Sequence, residues 1–181
     1  MPNSADAHAP SALTILTEEE RLFQQSVRRF ARERLAPHVR EMDEAGQFRD
    51  DLLRELFELG LMGIDVPEEF GGQAGTFFQS VLAIEEIAKV DPAAAVIVDV
   101  QNTLVNNAIR RWANDEQKNR YLPKLATEAT GAYALSEAQS GSDAFALTTR
   151  AQATGDRFAI SGRKLWITNA AEAEVFLVFA T

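Results

Sequence analysis

The chain has 181 residues, 46% hydrophobic and 25% charged, a globular composition long enough for one domain or for one and part of another. Its formal net charge of −9 argues against a nucleic-acid partner, which requires clustered Lys and Arg. With no cysteine and only His8 and His38, no disulfide framework, thiolate metal site, cysteine nucleophile or histidine-rich metal site is expected.

Residues 1–13 are small and polar, with Pro2 and Pro10, and read as a disordered leader. The first twelve have neither an Arg-rich amphipathic pattern nor an apolar signal core. No apolar run nears the ~20 residues that span a bilayer. No membrane partner is expected, and the cytoplasm is the default location.

Residues 14–130 read as a helical domain. Thr17 and Glu20 form a capping box, and Leu22, Phe23, Val27, Phe30 and Ala31 make one apolar stripe. Pro37 interrupts this helix or starts a segment running through Met42. Asp50 or Asp51 caps the next helix, which carries Leu52, Leu53, Leu56 and Phe57 and stops at Gly60. Gly63 to Gly75 is a loop broken by Pro67, Gly71 and Gly72. A helix follows from Phe77 to Val90. In it Glu85 and Glu86 point about 100° apart and read as a solvated edge, not an acid–base pair.

Asp91-Pro92 caps and starts a helix to Trp112 that is apolar on nearly every side, as a buried helix is. Its polar residues Asp99, Gln101 and Asn102 read first as groups satisfied by hydrogen bonds. The last helix, Asn114 to Thr130, is capped by Asn114, and Pro123 is expected to bend or split it.

From Gly131 the period changes to that of strands. Leu147–Ala153, Phe158–Ile160 and Lys164–Thr168 read as strands joined by turns at Gly155-Asp156 and Ser161-Gly162. Val175–Phe179 is a continuous apolar run expected to have a neighbour on both sides. Residues 131–181 therefore read as the first part of a β domain that looks cut off.

Two stretches stand apart. Tyr133–Asp143 reads Tyr-Ala-Leu-Ser-Glu-Ala-Gln-Ser-Gly-Ser-Asp, and Lys164–Thr168 reads Lys-Leu-Trp-Ile-Thr. In order and separation they resemble the flavin-binding segments of acyl-CoA dehydrogenases. Leu61–Gly72 resembles the same family at the equivalent place, and the likeness runs from about Leu16 to the end. It implies an α+β protein, with an N-terminal all-α helical bundle followed by the start of an antiparallel β-barrel domain, apparently truncated.

The resemblance implies FAD as cofactor, an acyl-CoA substrate, an electron-transfer flavoprotein as electron acceptor and a homotetramer at full length. Carried onto this chain, Tyr133, Ala134 and Leu135 would follow the ring system through their main chain. Ser136 would donate to its pyrimidine end, Gly141 would allow close approach, and Ser142 would face the pyrophosphate and the acyl-CoA. Trp166 would lie against the flavin, with Ile167 beside it and Thr168 near N5. Val100, Thr103 and Leu104 would belong to the wall around the acyl chain. Singly, these residues also read as turn serines, a core tryptophan and a strand threonine; together at this spacing they read as a flavin site.

Many family members have Pro at the position of Ala138 and Ala at that of Ser140. Ala138 and the run Val100–Leu104 resemble the subgroup acting on short or 2-methyl-branched acyl-CoAs. The family's catalytic glutamate is expected outside these residues, so this polypeptide alone is expected to be inactive. An acyl-CoA oxidase or flavin monooxygenase of the same superfamily, or a non-catalytic helical interaction module, remains the alternative.

Overall fold

The computed structural model describes residues 15–181, so the expected leader and His8 lie outside the described residues. Helix α1 (Glu18–Phe30) starts at the Thr17/Glu20 capping box, and its apolar stripe buries Val27 and Phe30. The chain continues helically through a π turn (Ala31–Leu35) and a 3₁₀ turn (Ala36–His38) into α2 (Val39–Ala45), so Pro37 tightens the winding without ending it. Helix α3 (Asp50–Glu58) follows. Neither aspartate caps it: Arg49 holds the N-cap position without a side-chain bond, and Asp50 and Asp51 are first-turn acids. After a loop with one 3₁₀ turn (Glu68–Phe70), α4 (Phe77–Ala88) packs on α1 and on α5 (Pro92–Asp99). Asp91 caps α5 by accepting from the Ala93 N–H at 2.9 Å.

The pair Glu85-Glu86 corrects the sequence reading. Glu86 is 2% exposed and lies between Arg28 of α1 (2.8 and 2.9 Å) and Lys89 (2.8 Å). A buried carboxylate needs such partners, and Arg28 is supplied from 58 residues away.

Between Asp99 and α6 (Asn107–Trp112) the helix widens into a π segment, Val100–Asn106. This places Gln101, Asn102 and Asn106 inside the protein, where they act over long range. Asn102 donates to the Leu61 and Val98 carbonyls and accepts from the Ile64 N–H, while Asn106 donates to the Met62 carbonyl. Gln101 donates to the Leu125 and Ala129 carbonyls at 2.7 and 3.0 Å and accepts from the Gly131 N–H at 2.8 Å. Helix α7 (Asp115–Thr127) begins at an Asn114/Gln117 box and runs unbroken through Pro123. A proline deletes one N–H bond, and burial of Leu122, Leu125 and Ala126 holds the helix together on either side of it.

Strand β1 (Gly131–Ala134) lies against the π segment. A Cβ at Gly131 would meet Val105 at 2.6 Å, so only glycine permits this approach. β2 (Arg150–Thr154) and β3 (Arg157–Ser161) form the expected antiparallel hairpin. The other pairing departs from expectation. β4 (Val175–Val178) runs parallel to β1, Gly131 opposite Val175 and Ala134 opposite Val178. Forty residues separate these strands, enough chain for the crossover a parallel pair needs. The described residues thus form two two-stranded sheets and no closed barrel.

Lys164–Thr168 is irregular, not a strand, because Trp166 (φ 57°) and Asn169 (φ 64°) are left-handed. β4 has its expected neighbour on one side only. Its Phe176 and Val178 are exposed beside Trp112 and Tyr121, in a groove of about 620 Å³. Among the described residues no helix is long and apolar enough to cross a membrane.

Gln101 joins the end of α7 to the start of β1. Gln101→Leu orphans three buried backbone groups and is expected to cost about 3 kcal/mol. That corresponds to a fall of about 10 °C in melting temperature, measurable by calorimetry.

Candidate functional site

The site grows from the exit of β1. After Ala134 the chain turns tightly, with Glu137 and Ser140 exchanging backbone bonds at 2.9 and 3.2 Å. The Ser140 hydroxyl donates to the Asp143 carbonyl at 2.8 Å. Ser140 is therefore a structural closure of the turn, and it leaves Ala138, Gly141, Ser142 and Asp143 exposed.

The second segment is bound to the first at four points. The Leu165 N–H donates to the Ser136 carbonyl at 2.9 Å. The Lys164 ammonium donates to the Leu135 carbonyl at 2.9 Å and to Glu137 at 2.8 Å. Asn169 donates from its side chain to the Gly131 carbonyl at 3.1 Å. The two motifs thus form one surface, although the bonded residues Leu135 and Lys164 are 29 apart in sequence.

At the centre is Glu137, whose side chain is 1% exposed. It accepts from Lys164, the Thr148 N–H and hydroxyl, the Thr149 N–H and the Gln139 amide. Lys164 first, then Thr149 and Thr148, hold its carboxyl well below the usual carboxylate range. A carboxylate so strongly ionised and so fully occupied is a poor proton acceptor, so Glu137 is structural here and not a general base. Sequence reasoning had not singled out either Glu137 or Lys164. The available signal was a charged residue directly before or within each motif.

The surface that these bonds leave open suits a flat, acceptor-rich ligand. The N–H groups of Leu135, Ser136, Trp166, Ile167 and Thr168 have no acceptor among the described residues, nor do the hydroxyls of Ser136 and Thr168 make a hydrogen bond there. Trp166 is 93% exposed on a left-handed backbone, a conformation costing roughly 1 kcal/mol that nothing in the local packing repays. A Cβ at Gly141 would meet nothing within 4 Å, so protein packing does not require glycine there. Tyr133 is half-buried and stacks at 4.8 Å on Phe179, and Ala134 is buried in the strand. The donor set and the open aromatic face fit FAD.

The helix residues separate by environment. Val100 is buried in a cluster with Val66, Val105, Ile109, Leu122 and Leu125. Thr103 is half-buried, and its hydroxyl donates to the Asp99 carbonyl and carboxylate at 3.0 and 2.7 Å. Leu104 is half-buried at the edge of the same cluster. Val100 therefore backs this helix, while Thr103 and Leu104 reach its surface.

Comparison with known proteins agrees with this arrangement. The family model for the acyl-CoA dehydrogenase N-terminal domain matches residues 17–129, and that for the middle domain matches residues 132–181. The chain belongs to the acyl-CoA dehydrogenase family. A probable short/branched chain specific acyl-CoA dehydrogenase of Dictyostelium discoideum is 52% identical over 93% of this chain and 41% of its own length. A glutaryl-CoA dehydrogenase of Mycobacterium smegmatis, solved in complex with FADH2, superposes with a TM-score of 0.87 at 33% identity, over 92% of this chain and 43% of that one. A chain from a structure described as the electron transferring flavoprotein of Acidaminococcus fermentans superposes with a TM-score of 0.88 at 35% identity, over 92% of this chain and 44% of that one. The chain thus spans about two-fifths of the length of the relatives it matches.

The buried carboxylates also fix a pH response. Arg28 and then Lys89 outweigh burial and pull Glu86 from 4.5 to about 2, and Glu137 is pulled down in the same direction. A folded pKa below the unfolded one gives stability that is fully present above about pH 5 and lost as pH falls toward 2. The urea midpoint is expected to drop steadily between pH 5 and pH 2.5. Glu137→Gln should lower the midpoint at pH 7 and make this acid slope shallower.

Proposed function

We propose that this chain forms the flavin-facing part of an FAD-dependent acyl-CoA dehydrogenase that oxidises a short or 2-methyl-branched acyl-CoA between its α and β carbons. The observation that carries the proposal is the single surface made by Tyr133–Ser142 and Trp166–Thr168, with its row of open N–H donors and its exposed indole. The D. discoideum relative, a probable short/branched chain specific enzyme, supports the acyl class.

When bound, FAD supplies the hydride acceptor, and that chemistry belongs to the cofactor. The protein supplies position and electrostatics. The Ser136 N–H and hydroxyl donate to the pyrimidine end of the ring, where fixed donors favour the charge that grows on reduction. The main chain of Tyr133, Ala134 and Leu135 follows the ring edge. Trp166 covers an apolar face and excludes water from it, Ile167 packs beside it, and the Thr168 N–H and hydroxyl donate near the hydride-accepting nitrogen. Gly141 leaves room for the pyrophosphate, and Ser142 donates to it and to the acyl-CoA.

Thr103 and Leu104 line the acyl chain with Val100 behind them, and such a wall limits chain length. Electrons leave to an electron-transfer flavoprotein. The structure described as that of A. fermentans electron transferring flavoprotein, to which this chain is similar, supports this choice. The full-length enzyme is a homotetramer in this reading, which follows the family resemblance.

The test has two parts. Calorimetric titration of the purified chain with FAD should give one site per chain, weakened about tenfold by Ser136→Ala, the loss expected for a hydrogen bond to a charge-bearing acceptor. In the enzyme containing this chain, 2-methylbutyryl-CoA should exceed octanoyl-CoA in kcat/KM by at least about tenfold, as expected when extra methylenes must enter a closed pocket. Absence of FAD from the enzyme containing this chain would overturn the whole reading. Equal use of octanoyl-CoA would overturn only the acyl class.

A further inference from the structure

Three of the bonds around Glu137 and Lys164 have one structural consequence in common. Glu137 directly follows Ser136, and Lys164 stands two residues before Trp166. Their 2.8 Å bond, with the bond from Lys164 to the Leu135 carbonyl and that from the Leu165 N–H to the Ser136 carbonyl, fixes the register of one segment against the other. The pair is also shielded: Glu137 is 1% exposed and Lys164 11% exposed at their side chains.

Neither group points its charge at open space. Glu137 spends its remaining lone pairs on Thr148, Thr149 and Gln139, so the loop before β2 is pulled onto the same point. Trp166 and the segment up to Thr168 lie in no helix or strand. The Asn169–Gly131 bond holds them from behind. Nothing else in front of Trp166 sets where its indole stands relative to Ser136.

The geometry points to Glu137 and Lys164 as positioning residues for the flavin: a buried clasp that sets the Ser136 donors and the Trp166 face at one spacing. This inference rests on the flavin reading above and goes beyond it, because neither side chain is assigned contact with FAD. In a low-dielectric setting the clasp exchanges poorly with water, and a site held this way loses affinity when its support loosens. Two contacting residues that act only as one unit should show strong non-additivity.

The experiment uses the full chain with Trp112→Phe, which leaves Trp166 as its single tryptophan. FAD affinity is read by quenching of Trp166 emission for the parent, Lys164→Met, Glu137→Gln, the double variant and the conservative Lys164→Arg. Far-UV circular dichroism and a thermal melt confirm that each is folded at the titration temperature.

Each single substitution should weaken FAD by about tenfold, the double variant no more than either single, and Lys164→Arg should recover most of the affinity. A blue or red shift of the ligand-free Trp166 emission should accompany Lys164→Met but not Lys164→Arg. Folded Lys164→Met or Glu137→Gln binding FAD within twofold of the parent would overturn the inference and leave the flavin reading standing. Additive losses in the double variant would overturn the clasp as a unit. A parent that binds no FAD, together with absence of FAD from the enzyme containing this chain, would overturn both readings. If Lys164→Met does not fold, the comparison of parent with Lys164→Arg decides: an equally folded Lys164→Arg that loses tenfold or more contradicts the inference.

Discussion

The site depends on a buried ion pair between Glu137 and Lys164. A carboxylate taken out of water is costly, and here the cost is offset only because five donors from three stretches of chain converge on it. That requirement is also what shapes the site. To satisfy Glu137, the loop before β2 and the segment before Trp166 must both come to the exit of β1. The polar surface left over, Ser136 on one side and Trp166 to Thr168 on the other, is what a flavin would meet. Electrostatic necessity in the interior thus creates the functional surface outside it.

The helical domain serves this arrangement through a second set of buried polar groups. Gln101 accepts from the first N–H of β1, and the missing side chain of Gly131 lets that strand lie on the π segment. Asn102 and Asn106 fix the loop at Leu61–Ile64 from the same helix. The residues that fix the strand therefore sit within one turn of Val100, Thr103 and Leu104. The proposed acyl wall and the first strand of the proposed flavin surface thus rest on one helix.

What could be read from the sequence was what is local or carried by a motif. The capping box at Thr17 and the cap at Asn114 involve residues within three of each other, and the hairpin of β2 and β3 has its turn at Gly155-Asp156, so each shows in a short window. That the two motifs belong together is readable from family resemblance, but the bonds that join them are not. The parallel β1–β4 register was not, because it joins residues more than forty apart and no local pattern distinguishes it from an antiparallel return. Glu86 read as solvated because its partner Arg28 is on another helix. Lys164–Thr168 reads as a strand because Trp, Ile and Thr favour one; the bonds of Lys164 and Leu165 to the β1 exit and the left-handed backbone at Trp166 are tertiary features that propensity does not carry. Pro123 reads as a break because the burial of Leu122, Leu125 and Ala126 that holds α7 together depends on elements distant in sequence.

The central claim is that two segments distant in sequence present their free N–H groups to one flavin. The most direct measurement is amide hydrogen exchange at Ser136 and Thr168, with and without FAD, followed by nuclear magnetic resonance. The account predicts fast exchange at both positions in the free protein and slowing of both, at the same FAD concentration, when the flavin binds. Slowing at only one of them, or at neither while FAD is bound, would contradict it.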